Sequence, residues 1–144
     1  MTPDDGTAQA STPGPLTVAE VMERATTTAE LDDHVAAAAY LMKHAGTTAL
    51  VVLTAGTGRI AGILTDTDVA NVVADGKDVN QVRIREVMKS EPAVIYRDAS
   101  VRAAAELMLA RHVRQLPVID DAGGVIGIFN IDAACRGLLG EGGR

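Results

Sequence analysis

The sequence predicts an α/β (strictly α+β) fold: two pseudo-symmetric β-α-β-β-α repeats packed sheet against sheet. Three observations lead there. The chain repeats itself: "VAEVM" at Val18–Met22 returns as "IREVM" at Ile84–Met88, an offset of 66 (88 − 22). The same offset pairs Val35 with Val101, Ala37–Ala39 with Ala103–Ala105, Leu41-Met42 with Leu107-Met108, Leu50 with Leu116 and Val52 with Val118, which marks a duplicated unit. Within each copy, helix-spaced and strand-like apolar patterns follow one another in the same order. Finally, 47% of the 144 residues are hydrophobic but only 2% aromatic, with no Trp. Such a core must be built from Ala, Val, Ile, Leu and Met, which suits helices packed on buried strands.

Residues 1–15, "MTPDDGTAQASTPGP", are acidic and rich in Pro, Gly, Ser and Thr, the composition of a disordered lead-in. They lack the basic start and apolar run of a signal peptide. Repeat 1 is expected over residues 16–76, repeat 2 over 77–139, and a flexible tail over 140–144. Each repeat opens on a short helix ("VAEVM", "IREVM") and an extended piece, Ala25–Thr28 in one copy and Pro92–Tyr96 in the other. A helix follows, with Val35, Ala38, Ala39 and Met42, or Val101, Ala104, Ala105 and Met108, at i, i+3, i+4, i+7. That spacing lays one apolar stripe against a sheet. Ser100 marks the start of the second of these helices as a capping oxygen. Two strands come next, "ALVVL" and "RIAGILT" around "TAGTG", then "LPVID" and "VIGIF" around "DAGG", with Gly56, Gly58, Gly123 and Gly124 as turn residues. The closing helices are "DVANVVAD" and "AACRGLL", and "ADGKD" at Ala74–Asp78 reads as a helix end and linker.

One copy cannot bury both faces of so small a sheet, whereas two related by pseudo-twofold symmetry can. The groove between them is then lined by equivalent residues from each half. In the first half, Thr65 and Asp68 stand one turn apart at a strand-to-helix junction. A carboxylate there can accept hydrogen bonds from a ribose diol, and a hydroxyl can donate to phosphate. Free N–H groups at the helix start would favour an anion. Thr-x-x-Asp is also an ordinary capping pattern with no ligand, so the pair has two readings. In the second half Asn130 and Ala133 take these places. Asp132 is one residue early and points about 100° away on a helix.

At these residues, over Leu16–Leu139, the chain resembles the tandem cystathionine-β-synthase (CBS) domain pair, the Bateman module, of the small stand-alone bacterial type. The resemblance is carried by "EVM" opening each repeat, the "ALVVL" and "LPVID" strands, and "GILTDTDV" against the family's Gly-h-h-Thr/Ser-x-x-Asp. It implies a regulatory module sensing an adenine nucleotide (AMP, ADP or ATP) in the inter-repeat cleft, with no cofactor required. Asp68 would take the ribose, Thr65 would lie near phosphate, and Arg114 of "HVRQLPVID" would reach phosphate from the second repeat. A solvated surface role for Arg114 remains open. The backbone around Ala49 and Leu50 and the extended segment from Thr26 to Thr28 would flank the base. The second half-site, lacking its carboxylate, would be empty or take something other than a nucleoside. Alternatives are S-adenosylmethionine or NAD(H) as ligand, or a ligand-independent dimerisation and protein-interaction scaffold. The resemblance also implies a homodimer through the closing helices and a protein partner not named by the sequence.

Other classes are disfavoured. A formal charge of −6 argues against a nucleic-acid surface, and no segment reaches the ~18 apolar residues of a membrane span. The single Cys135 fits a reducing, cytoplasmic setting and reads as a buried thiol. His34, His44 and His112 have no metal-like spacing and read as surface or helix-end residues. Met22, Met42, Met88 and Met108 recur at the repeat offset, as core packing does. No nucleophile–base pair suggests an enzyme.

Overall fold

The computed structural model describes residues 16–24, 27–88 and 93–142, with the side chains of 141–142 excepted. The expected lead-in at 1–15 lies outside them. The elements are α1 (Val18–Val21), β1 (Glu23–Arg24), β2 (Thr28–Glu30), α2 (Val35–Ala45), β3 (Ala49–Leu53), β4 (Ile60–Thr65) and α3 (Asp66–Ala74). They continue with α4 (Ile84–Val87), β5 (Ile95–Tyr96), α5 (Val101–Arg111), β6 (Gln115–Ile119), β7 (Val125–Asn130) and α6 (Ile131–Gly142). The closing helix thus runs three residues past Leu139, into the stretch expected as a flexible tail.

The helical stripes fall where the spacing puts them. Val35, Ala38 and Met42 of α2 and Val101, Ala104 and Met108 of α5 are buried. Ser100 caps α5, its Oγ accepting from Ala103 N–H at 3.0 Å. β2-β3-β4 form one sheet and β1-β7-β6-β5 the other. In each, a parallel pair (β2/β3, β5/β6) sits beside an antiparallel one (β3/β4, β6/β7). Strand alternation sends Leu50, Val52 and Leu64 to the helices on one face. Ala49 and Val51 go to the other face, where they meet Ile128 of the second sheet with Ile60, Ile63 and Val125 around them. The sheets therefore pack face to face, as expected.

The opening segments cross over. Val18 of α1 is buried in the second half's core, with Val101, Leu116 and Phe129. Val82 and Ile84, at α4, are buried in the first half's core. The exchange is reciprocal to the hydrogen bond. Val18 N–H donates to Ala99 O, Ala19 N–H to Arg97 O, and Val101 N–H to Leu16 O. Sixty-six residues away by sequence, Ile84 N–H donates to Asp33 O, Arg85 N–H to Leu31 O, and Val35 N–H to Val82 O. Arg85 Nε also reaches Asp32 Oδ1 at 2.7 Å. That bond holds the exposed Asp32 carboxyl below its usual range, and Arg85 is raised in turn.

The repeated Met22 and Met88 follow from the same exchange. A Cβ at Gly127 would stand 2.5 Å from Glu23 O and 2.7 Å from Met22 Sδ; one at Gly62, among the described residues, would meet the Met88 side-chain end at 3.3 Å. Each methionine thus lies on the glycine of the opposite repeat. One expectation is corrected: Cys135 is exposed. Its neighbours Ala133 and Ala134 take the buried positions on α6, one helical step away from the thiol.

Candidate functional site

Two hollows flank the sheet-to-sheet contact, related by the repeat symmetry and unlike in size. The larger, of about 780 Å³, is lined on one side by Gly62, Ile63, Thr65, Asp66 and Asp68 and on the other by Arg111, His112, Arg114 and Pro117. Its floor and rim include Met88, Ala93, Asn130 and Asp132. Thr65, Asp68 and Arg114, picked from the sequence as one site, are thus brought together from the two repeats. Thr28 is not: it lies exposed on β2, opposite Val51. Leu50 is 1% exposed and faces the helices. Ala49 lines the smaller hollow instead. Thr26 lies outside the described residues.

At the junction of β4 and α3 the two readings of Thr-x-x-Asp meet. Thr65 Oγ1 accepts from Asp68 N–H at 3.2 Å, and Asp68 Oδ2 accepts from Thr65 N–H at 2.8 Å. This is a reciprocal capping box. Asp68 Oδ1 has no hydrogen-bond partner among the described residues, so the half-buried carboxylate keeps an oxygen for a diol. The free N–H groups expected at this helix start are otherwise engaged. Asp66 N–H donates to Thr48 O, Thr67 N–H to Asp66 Oδ1 at 2.8 Å and Asp68 N–H to Thr65 Oγ1 within the capping box. An anion placed here would have to be held by side chains. Arg111, His112 and Arg114, on the turn between α5 and β6, are exposed cations or potential cations on the opposite wall. Arg111 was not singled out in the sequence, and His112 was read there as a surface or helix-end residue and not as part of the cleft. Setting "AGTT" of repeat 1 beneath "RHVR" of repeat 2 would have found them.

The smaller hollow, about 140 Å³, is lined by Glu23, Gly46, Thr47, Thr48, Ala49, Gln115, Ile128, Asn130 and Asp132. These include the symmetry counterparts of the first site. Asn130 Oδ1 caps α6 by accepting from Ala133 N–H at 2.8 Å, repeating Thr65's role. Ala133 cannot return the bond. Asn130 Nδ2 instead donates to Glu23 Oε2 at 3.1 Å. β1 pairs antiparallel with β7, Glu23 opposite Ile128 and Arg24 opposite Gly127, so the chain's own backbone and a carboxylate close this half-site. His112 and His34 are helix caps, as a helix-end reading expects. No metal-binding cluster of His, Cys, Asp or Glu and no membrane-length apolar helix is found among the described residues.

Comparison with known proteins agrees with this architecture. The sequence model of the CBS domain matches twice, at residues 18–75 and 84–140. The chain is similar to a protein with CBS domains from Burkholderia ambifaria MC40-6 (28% identity, 88% of this chain and 96% of that chain, TM-score 0.76). It is also similar to the CBS domain pair of protein MJ0100 in complex with 5′-methylthioadenosine and S-adenosyl-L-methionine (23%, 89% and 99%, TM-score 0.78). CBSX2 in complex with AMP is a third likeness (22%, 87% and 97%, TM-score 0.69). The last two, at these identities, establish the fold. The chain spans 36% of the first curated relative and 17% of a homoserine O-acetyltransferase of Methanohalophilus mahii, so it accounts for a minor part of those proteins.

Proposed function

The chain belongs to the CBS domain family, as a tandem pair, and on that premise we propose that it is a regulatory module binding one adenine nucleotide. The ribose diol would rest on Asp68, the hydroxyl of Thr65 would lie near phosphate, and Arg114 would hold phosphate from the second repeat. The observation that carries this reading is the asymmetry of the hollows. One, about 780 Å³, joins the carboxylate of one repeat to the cations of the other, and its size suits a small organic ligand. Its twin is about 140 Å³. The adenosyl ligands of two proteins of the same fold lend support. A ligand bridging the repeats would bias their relative angle by its differential affinity for the two arrangements. No catalytic role enters the proposal. Its setting is cytoplasmic, and it includes a homodimer through the closing helices, where Val73, Ile131 and Leu139 stay exposed, and a regulated protein partner.

The capping box favours a second reading: Thr65 and Asp68 kept for helix termination alone, in a scaffold that binds no nucleotide. Thermal-shift titration of wild type and Asp68→Asn with AMP, ATP, 5′-methylthioadenosine, S-adenosylmethionine and NADH separates the two. Asn keeps the acceptor for Thr65 N–H, so loss of a ligand-induced shift reports the diol contact and not a broken cap. Ligand at 100 times its dissociation constant adds about 2.7 kcal/mol, several degrees for a domain of this size. No shift with any of the five would favour the scaffold.

A further inference from the structure

α2 and α5 correspond residue for residue. Each runs eleven residues, Val35–Ala45 and Val101–Arg111, and each ends on a left-handed cap, Gly46 at φ 67° and His112 at φ 55°. Their buried stripes coincide at the repeat offset: Val35, Ala38 and Met42 against Val101, Ala104 and Met108. The demands of two equivalent cores account for that agreement. The solvent faces do not agree. In repeat 1, Tyr40 and Lys43 stand one turn apart on that face, and in repeat 2 the same two places hold Glu106 and Leu109. All four are exposed, Tyr40 at 62% and Leu109 at 75%. Neither Lys43 nor Glu106 has an ion pair among the described residues. The Tyr40 ring packs on the His44 imidazole, centroids 4.1 Å apart, so part of the entropy cost of ordering it is already met. Along one face, then, α2 reads apolar and then charged, while α5 reads charged and then apolar.

We propose that this face docks a second copy of the chain head to tail, α2 of one copy lying antiparallel on α5 of the other. In an antiparallel crossing, a step of three residues forward on one helix answers a step of three back on its mate. Setting Tyr40 on the partner's Leu109 therefore also sets Lys43 beside the partner's Glu106. One register matches an aromatic ring to an aliphatic side chain and a cation to a carboxylate. Head to head, the same crossing lays Glu106 on the partner's Leu109 twice over. That desolvates two carboxylates and gives them no partner. The match is complete only when unlike helices meet, and one chain carries both of them, so the occupant is a second copy. Two such contacts related by a twofold, α2 on α5 and α5 on α2, close the pair. α2 packs beside α3 and α5 beside α6, which brings the closing helices, with Val73 and Leu139 exposed, next to the contact. The proposal rests on the homodimer of the reading above and gives its direction; it does not depend on the nucleotide.

Sedimentation of the full chain over a range of concentrations, with thiol cross-linking in a Cys135→Ser background, tests it. Lys43→Glu and Glu106→Lys each set like charges face to face twice per dimer and should weaken it about tenfold. Combined in one chain they restore the pair with its signs exchanged, and the dissociation constant should return to within about threefold of wild type. Both positions are exposed, so the fold is retained in all three variants. A chain carrying Tyr40→Cys, mixed with one carrying Leu109→Cys, should oxidise to a cross-linked heterodimer, while neither links to itself. Additive losses in the double variant, or self-linking of Tyr40→Cys, overturn the head-to-tail direction and leave the homodimer standing. A dimer indifferent to every variant takes α2 and α5 out of the interface and overturns the proposal. A chain still monomeric at millimolar concentration sinks the homodimer together with its direction and leaves the face to a different protein.

Discussion

The two half-sites began as copies and now differ in every chemical respect that matters to a ligand. The first has a carboxylate with a spare oxygen, a cationic turn opposite, and open volume. The second has Asn130 and Ala133, the turn Ala45–Thr48, and Glu23 bonded to Asn130. Yet helix start, turn backbone and crossover hydrogen bonds are alike in both. Fold needs constrain the backbone of each copy, because each must close a sheet and cap a helix. On the proposed reading, ligand needs constrain side chains in one cleft only. A duplicated domain can therefore lose one site without losing symmetry.

Breaking this comparison at the ligand should have the largest effect. In Asp68→Asn the charge-assisted bonds to the diol are lost, and ATP affinity should fall about a hundredfold by calorimetry. A loss smaller than threefold would remove Asp68 from the site. Next come the equivalent glycines. Gly127→Ala sets a methyl against Glu23 O and Met22, and backbone cannot yield cheaply, so about 2 kcal/mol of stability should go. Gly62→Ala meets the flexible end of Met88 but puts a Cβ on a backbone held at φ 155°, so it should destabilise through backbone strain and not through a clash with a carbonyl. An unchanged melting temperature in Gly127→Ala would contradict the tight cover over the second half.

A smaller effect should accompany opening the second half-site. Glu23→Ala removes one exposed hydrogen bond, worth about 1 kcal/mol or less. Combined with Ala133→Asp it restores a carboxylate beside an uncovered hollow, and ATP stoichiometry should rise from one toward two per chain. A stoichiometry still at one would mean that β1 closes the site by backbone, not by Glu23. The least effect is that of the Asp32–Arg85 pair. Asp32 is depressed in the folded chain, so its contribution is complete above the unfolded value near pH 4 and fades as pH falls through the lower folded value. Being exposed, the pair is screened. Arg85→Gln should lower the melting temperature slightly at neutral pH, where the contribution is complete, and leave the acid end of a melting-temperature–pH profile unchanged, so the acid limb flattens.

Much of this was legible in the sequence because it is periodic. The offset of 66, the helical stripes, the Ser100 cap and the face-to-face sheets all follow from side-chain spacing, which one dimension records well. Thr65, Asp68 and Arg114 were legible as one site through the family resemblance. Where a short segment docks is not periodic information: four residues of "VAEV" carry a helix signal but no address, so the crossover of α1 and α4 was not foreseen. Cys135 was misplaced for a related reason. A strand or helix pattern fixes which residues share a face, while tertiary contact decides which face turns toward cleft, core or solvent. Arg114 and His112 were read from the basic turn one at a time, and Arg111 was passed over because the repeats were aligned for what they share.

The crossover of α1 and α4 makes the halves hostages to each other. A chain severed in the linker at Gly76–Asp78 leaves each fragment holding the other's cover: Val18 belongs to the second core, Val82 and Ile84 to the first. Neither fragment closes its own core, and together they have the whole set. The architecture is that of a split protein whose pieces complement, and in the intact chain it ties early and late segments into one cooperative folding unit at the expense of high contact order.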